Sequence, residues 1–243
     1  MRNKEPIYLF ISLMISLLMP SVKGRTQEVD NQFWINYALT VPVTKNFSYG
    51  GDAGLRGFIS NQAWNQILIR PTATYRFNST FAVAGAVALF STIYKENSNI
   101  YEFRIHQDFD VNWPDLTVLS LFHRVRIEER FFFYDELPNN FNVRARYLIG
   151  AESMDFTFLG SKRPIYFQAI WEAFTTLGKE SAAEIFINQA RLHFVFGHRL
   201  FPRFRYELHY IRQNSRQFSD QGLSVSQNIY RVRLFHRLPG KTD

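Results

Sequence analysis

The chain has 243 residues, a formal net charge of +7 and no cysteine, and 17% of its residues are aromatic. Without cysteine, the protein can have neither a disulfide framework nor a thiolate metal site. The basic excess is small and dispersed along the chain, which argues against a nucleic-acid-binding protein.

A charged and then apolar segment begins the sequence. Arg2 and Lys4 precede an apolar run of about 13 residues at 7–19, and the segment "PSVKG" then ends at the small residue Gly24, with Val22 two positions before it. The run is shorter than the roughly 17–25 residues that cross a bilayer as a helix, and the pattern is typical of a secretory signal. The sequence therefore predicts a signal peptide over residues 1–24 and one exported domain over residues 25–243. An uncleaved anchor is the alternative.

The rest of the chain alternates apolar and polar residues with the period of a β-strand, and no long segment has a convincing helical pattern. The fourth alternating segment sets Val83, Val87 and Leu89 against alanines at 82, 84, 86 and 88. The fifth, "YEFRIHQDFDVNW", alternates most clearly. The predicted strands are 33–43, 47–57, 64–77, 80–90, 101–113, 116–130, 141–152, 164–174, 185–197, 203–213 and 224–238. Residues 116–130 also fit helical spacing, but their β-branched and aromatic content favours a strand.

The connections between these segments alternate in length. Residues 78–79, 114–115 and 200–202 read as tight turns, whereas 91–99, 131–140, 175–184 and 214–223 are longer polar links. Short turns at one end and longer loops at the other are typical of an antiparallel up-and-down transmembrane β-barrel. We expect about 10–12 strands, with short periplasmic turns and longer outer loops. Because bacterial barrels of this kind usually have an even number of strands, 10 or 12 is favoured over the eleven segments counted.

The alternation leaves open which face of the wall meets water. In "HRVRIEERF", Arg124, Arg126 and Glu128 share one face, and Val125 and Ile127 share the other. A soluble barrel would bury the apolar face around an apolar ligand, whereas an outer-membrane barrel would turn it towards lipid. Long strands and a polar face rich in arginine and acids favour the membrane barrel. So do aromatic residues placed near strand ends as interfacial girdles: Trp34, Trp64, Tyr75, Phe77, Tyr101, Trp113, Phe131 and Tyr147.

Short motifs on several segments resemble a known family. The motifs are Arg124, Arg126, Glu128 and Arg130; Arg144, Arg146 and Tyr147; Glu172 and Phe174; and Gln189, Arg191 and Leu192, with Gly197 nearby. They resemble the bacterial outer-membrane proteins grouped as domain-of-unknown-function 2490, which are frequent in Bacteroidetes. The chain departs from the pattern at Ala190, and it ends without the aromatic residue typical of a terminal barrel strand. The resemblance implies an outer-membrane barrel, but no biochemical activity.

No catalytic or metal-binding constellation is recognisable in the sequence. None of the six histidines has a serine two positions away, the spacing shared by phospholipase-type and lipid-A-deacylase barrels of the outer membrane. We therefore expect a non-enzymatic protein without metal or cofactor. A lipid hydrolase with a site dispersed over several strands remains an alternative.

The charged face is the candidate functional site. We expect its side chains largely to plug a narrow lumen, with a structural or binding role or a narrow, anion-preferring passage. The expected partners are outer-membrane lipid, the barrel-assembly machinery during insertion and a small anionic solute. The candidate residues are Arg70, Arg76, Arg104, Arg124, Arg126, Glu128, Arg130, Arg144, Arg146, Glu172, Arg191 and Glu207.

Overall fold

The computed structural model describes residues 30–59, 64–95, 97–116, 118–135, 138–157, 163–177, 187–216 and 224–240. The predicted signal peptide, residues 1–24, lies outside these ranges. Within them, no helix has the length and apolar character needed to cross a membrane. The described residues form these strands: β1 (Asp30–Pro42), β2 (Phe47–Phe58), β3 (Trp64–Arg76), β4 (Phe81–Tyr94), β5 (Ile100–Asn112), β6 (Leu119–Tyr134), β7 (Asn140–Ser153), β8 (Ile165–Leu177), β9 (Ile187–Phe201), β10 (Phe204–Arg216) and β11 (Ser224–Arg237).

The strands close into a single up-and-down barrel in which each strand pairs with its neighbours in sequence. All of these pairs are antiparallel except the closing one, in which β1 runs parallel to β11 from Asp30 opposite Gln227 to Thr40 opposite Arg237. Each predicted segment is a strand of the wall. The expectation of an even number of strands is therefore wrong, because eleven described strands close the barrel through this parallel pair.

The connections divide into two sets at opposite ends of the barrel. The turn end carries residues 43–46, 77–80, 113–118, 154–164 and 202–203, and the loop end carries 59–63, 95–99, 135–139, 178–186 and 217–223. The predicted links 91–99 and 131–140 are shorter than expected, because β4 continues to Tyr94 and β6 to Tyr134. The longest connection at the turn end, 154–164, contains a bridge between Phe156 and Ile165.

The charged face of the wall points into the barrel, as predicted. On β5, Glu102 and Arg104 are buried while Phe109 is exposed, and on β6, Glu128 is buried while Val125 is exposed. Strand alternation then carries the same arrangement around the barrel. The described outer surface consequently presents large apolar side chains on every strand, among them Ile35, Leu55, Ile69, Leu89, Phe109, Val125, Phe141, Trp171, Phe201, Leu208 and Tyr230.

Two of the predicted girdle tryptophans do not face outward. Trp34 is only 4% exposed and packs inside the barrel with Ile211 and Ile229. The reason is visible in β1 itself: Trp34 has the opposite parity to the exposed Phe33 and Ile35. Trp64 is half-buried at the start of β3, where its ring meets Phe58 edge-on. Tyr75, Phe77, Tyr101, Trp113 and Tyr147 are exposed as predicted.

Candidate functional site

Glu128 is the centre of the ion pairs inside the barrel. Its side chain has no exposed surface, and its two carboxylate oxygens accept hydrogen bonds from Arg144 and Arg146 at 2.7 and 2.8 Å. Arg104 approaches it at 3.4 Å and Arg126 at 3.7 Å. One carboxylate therefore contacts four guanidinium groups drawn from three strands.

The register of the strands explains most of these pairs. Asp108 lies directly opposite Arg126, Asp110 opposite Arg124, and Glu128 opposite Arg144. Cross-strand neighbours have Cβ atoms only about 5 Å apart, so long side chains of opposite charge meet without strain. The Arg126 guanidinium donates to both carboxylate oxygens of Asp108, the two-pronged geometry that planar guanidinium favours.

Two pairs of arginines also lie directly opposite each other, an arrangement that would be destabilising alone. Arg104 faces Arg130, and Arg126 faces Arg146. Each pair shares a carboxylate: Glu102 accepts from both Arg104 and Arg130 at 2.7 Å, and Glu128 contacts both members of the second pair. The shared acids thus offset the repulsion between like charges.

The ion pairs continue onto β8 and β9 through Glu172. This buried carboxylate accepts a hydrogen bond from Arg146 at 2.5 Å and lies 3.8 Å from Arg191 and 3.7 Å from His193. We call the connected set the lumen network. Its members are Glu102, Arg104, Asp108, Asp110, Arg124, Arg126, Glu128, Arg130, Arg144, Arg146, Glu172 and Arg191.

Aromatic rings inside the barrel support the network towards the loop end. The Phe174 ring lies under the guanidinium groups of Arg146 and Arg191, each 4.5 Å from the ring centre. Trp34 lies 4.3 Å from Arg56 and 5.3 Å from Arg191, which reaches it from across the lumen. Cation–π contacts of this kind gain strength where water is excluded. Buried Leu68, Ala88 and Phe90 form an apolar cluster, so aromatic and aliphatic side chains occupy space in the loop-end half of the described interior.

The turn-end half contains open space instead. An outer chamber of about 510 Å³ reaches the strand ends at Thr40, Ser48, Thr74, Arg76 and Asn112. An inner chamber of about 330 Å³ extends deeper, to Arg56, His193 and Arg231. The chambers share lining residues that include Asp52, Arg70, Arg124, Arg126, Arg205 and Arg233. We call the two together the turn-end cavity.

The structure brings the predicted site residues to the inner face, with one at its edge. Arg104, Arg124, Arg126, Glu128, Arg130, Arg144, Arg146, Glu172 and Arg191 belong to the lumen network. Arg70 forms a separate pair with Asp52 at 2.7 Å on the opposite wall. Arg76 is exposed at the end of β3, where it lines the mouth of the outer chamber.

Glu207, the last predicted residue, is the centre of a third group. It accepts a hydrogen bond from the Tyr166 hydroxyl at 2.8 Å and contacts a His209 ring nitrogen at 2.9 Å. Tyr166 lies across Gly197, its register partner on β9, and a Cβ built on that glycine would be 2.1 Å from the ring. Only glycine leaves room for the tyrosine here, an arrangement seen where an aromatic ring covers a strand glycine.

Several charged residues of the interior were not singled out from the sequence. The most important are Arg56, Arg205, Arg231 and Arg233, which line the inner chamber. Arg231 and Arg233 alternate with Val232 and Leu234 on β11, which is the same signal that identified Arg124 and Arg126. That pattern could have found them. The alternation could not have shown which arginines lack a carboxylate partner, because the residue opposite each arginine depends on how the neighbouring strands are aligned.

The histidines divide evenly between the two faces. His106, His193 and His209 are buried on the inner face. The other three lie on the outer face within hydrogen-bonding distance of tyrosine hydroxyls: His123 with Tyr147, His198 with Tyr206 and His236 with Tyr37. In the part of the chain that the structure describes, no cluster of three or more His, Asp or Glu side chains is arranged to hold a metal ion.

The fold and interior define a closed, up-and-down β-barrel with a buried arginine–carboxylate network and apolar side chains outside. The chain belongs to the family described as Protein of unknown function (DUF2490), whose model matches residues 31–223. This match confirms the family suggested by the strand motifs. No curated protein and no solved structure matches the chain.

Proposed function

We propose that this protein is a bacterial outer-membrane β-barrel, exported through its N-terminal signal and inserted by the barrel-assembly machinery. The observation that carries the proposal is the orientation of the wall. Large apolar side chains on every strand are exposed, whereas Glu128, Glu172 and their arginine partners are buried. Soluble monomers rarely expose apolar patches of more than a few hundred Å², and a closed barrel satisfies its backbone hydrogen bonds without water.

The packed half of the interior favours a structural or binding barrel over an open pore. Towards the loop end, Trp34, Phe90 and Phe174 fill the space between the guanidinium groups that they contact. A solute crossing the lumen would have to displace these rings and break buried ion pairs. Breaking such pairs is costly, because each leaves an uncompensated charge.

A narrow, anion-preferring passage is the second candidate. It is favoured by the charge of the inner chamber, which is lined by eight arginines and four carboxylates. Fixed positive charge in a low-dielectric channel attracts anions and repels cations.

Gel mobility of the full chain, with and without boiling, tests the membrane barrel. We expect the protein in the outer-membrane fraction, resistant to extraction by urea, with a folded form that migrates differently from the boiled form. Recovery in the soluble fraction would contradict the proposal and favour a secreted barrel that binds an apolar ligand. Hydrolysis of phospholipid or lipid A by the purified protein would favour the enzymatic alternative.

Planar-bilayer recording separates the two candidate roles of the lumen. A plugged barrel is expected to give no steady conductance, whereas a passage would give anion-selective steps. The matched control is Phe174→Ala, which removes a ring under Arg146 and Arg191. Conductance that appears only in this variant would identify the ring as part of the plug.

A further inference from the structure

The inner chamber holds cationic groups that the lumen network does not neutralise. Among the residues that the structure describes, Arg56, Arg231 and Arg233 make no ion pair with a carboxylate. Arg56 donates only to the Gln66 side chain at 3.2 Å, and Arg231 contacts only a His209 ring nitrogen at 2.8 Å. Arg233 lies over the Phe235 ring at 4.5 Å, and Glu207 and Asp52 act on its charge only from beyond ion-pair distance. Arg104 and Arg126, by contrast, each form ion pairs with carboxylates.

Buried polar atoms around these arginines also lack partners. The Nε atoms of Arg56, Arg205 and Arg231 have no hydrogen-bond acceptor, although they are inaccessible from the surface. His193, which is 4% exposed and lines the inner chamber, has no hydrogen bond at either ring nitrogen; the nearest carboxylate, Glu172, is 3.7 Å away. Buried donors left unpaired cost free energy. A small movement of these side chains towards an acceptor in the chamber would remove that cost.

The nearby carboxylates lie closer to other partners than to these groups. Asp52 accepts two hydrogen bonds from Arg70, at 2.7 and 3.0 Å. Glu207 is held by Tyr166 and His209, and it lies 3.6 Å from Arg205. Glu172 forms its shortest ion pair with Arg146, which belongs to the lumen network. The unsatisfied charge is therefore concentrated where β2, β10 and β11 face the chamber.

We propose that the inner chamber is a binding site for a small, water-soluble, multivalent oxyanion with phosphoryl or carboxylate groups. Guanidinium groups bind such oxygens through paired hydrogen bonds, and Arg231 and Arg233 project from one strand face two residues apart. The ligand enters through the outer chamber from the turn end, past the exposed Arg76. Volumes of about 330 and 510 Å³ lie within the roughly 300–1,000 Å³ of small-molecule sites.

The site opens towards the turn end, through the outer chamber with which it shares lining residues. Towards the loop end, Arg56, which lines the chamber, lies over the Trp34 ring at 4.3 Å. An anion that binds Arg231 would therefore leave by the way it entered. The inference deepens the proposed function, and rests on it, by naming the solute class for a barrel that binds and does not conduct.

Isothermal titration of the refolded full-length barrel in zwitterionic detergent tests the site, with inorganic pyrophosphate and citrate as separate probes. We expect binding of at least one probe, weakened tenfold or more in Arg231→Gln and in Arg233→Gln. The matched control is Arg212→Gln, an exposed arginine on the outer face of β10. Its affinity is expected to equal that of the unaltered protein.

Two results would overturn the inference. One is the absence of binding by the unaltered protein with either probe. The other is an equal loss in all three variants, which would indicate general charge attraction. Gel mobility with and without boiling is measured on every sample. A barrel that folds but binds neither anion contradicts the site alone, whereas failure to fold as a membrane barrel contradicts the proposed function.

Discussion

Glu128 shows how a single acidic residue can organise an interior rich in arginine. Four guanidinium groups approach its carboxylate, and none of its surface is accessible. Removing one partner of a buried ion pair costs more than the pair contributes, because the remaining charge stays desolvated. Here the loss would affect arginines on β5, β6 and β7 at once.

Glu128→Gln is therefore expected to lower the free energy of unfolding by about 3–5 kcal/mol, the range for breaking a buried pair. The measurement is chemical denaturation of the barrel refolded into lipid vesicles. The matched control is Glu129→Gln on the same strand, since Glu129 points to the outer face and is not part of the network. A Glu128→Gln barrel as stable as this control would contradict the central role of the carboxylate.

Gly197 is a second residue whose effect follows from one contact. Gly197→Ala would place a Cβ 2.1 Å from the Tyr166 ring, so the ring must move and its hydrogen bond to Glu207 would be lost. We expect destabilisation of about 1–3 kcal/mol, as for overpacked sites. Gly85→Ala is the control, because nothing lies within 4 Å of that position. Equal unfolding midpoints for the two variants would show that Tyr166 adjusts freely.

At the scale of the strand, the sequence was most informative where alternation is unbroken. In β5 every charged residue lies on the inner face, and in β6 every arginine and every acid except Glu129 does, so both faces could be predicted from period two alone. β1 shows the same alternation. Trp34 was nevertheless predicted to face outward, because its position near a strand end was given more weight than its place in the alternation. Membrane girdles are a statistical preference, whereas alternation is a geometric constraint.

The ion pairs were less predictable than the strands that carry them. Arg124 and Arg126 were recognisable as lumen residues, but their partners Asp110 and Asp108 are fixed by the register of β5 against β6. A shift of one residue would have moved every side chain to the other face. For the same reason, the unpaired state of Arg231 and Arg233 could not be read from β11 alone, since it depends on β1 and β10.

The outer face of β4 offers a test that separates a lipid-facing wall from a hydrated one. Leu89 is 61% exposed and lies well inside the strand, whereas Ile93 lies one residue from its end. Leu89→Arg is expected to destabilise a membrane barrel by about 2–4 kcal/mol, and Ile93→Arg by about 0–1 kcal/mol. Denaturation in lipid vesicles measures both. Two equally small effects would indicate that this face meets water.

At the scale of the whole molecule, the up-and-down order of the strands could be predicted because tight turns alternate with longer polar links along the sequence. The number of strands followed from counting segments, but the expectation of an even total came from other barrels and not from this chain. Hydrogen bonding imposes no such requirement, since parallel strands also form a complete ladder. β1 and β11 meet in that way over most of their length.

The parallel closure has a consequence for how the polypeptide sits in its surroundings. Asp30 lies at the rim with the loops, while Arg237 bonds to Arg203 at the opposite rim. A barrel with an even number of strands would have the start of its first strand and the end of its last strand at the same rim. In a membrane, this wall would begin at one surface and end at the other, so a label attached at Asp30 and a label attached at Arg237 would face different aqueous compartments.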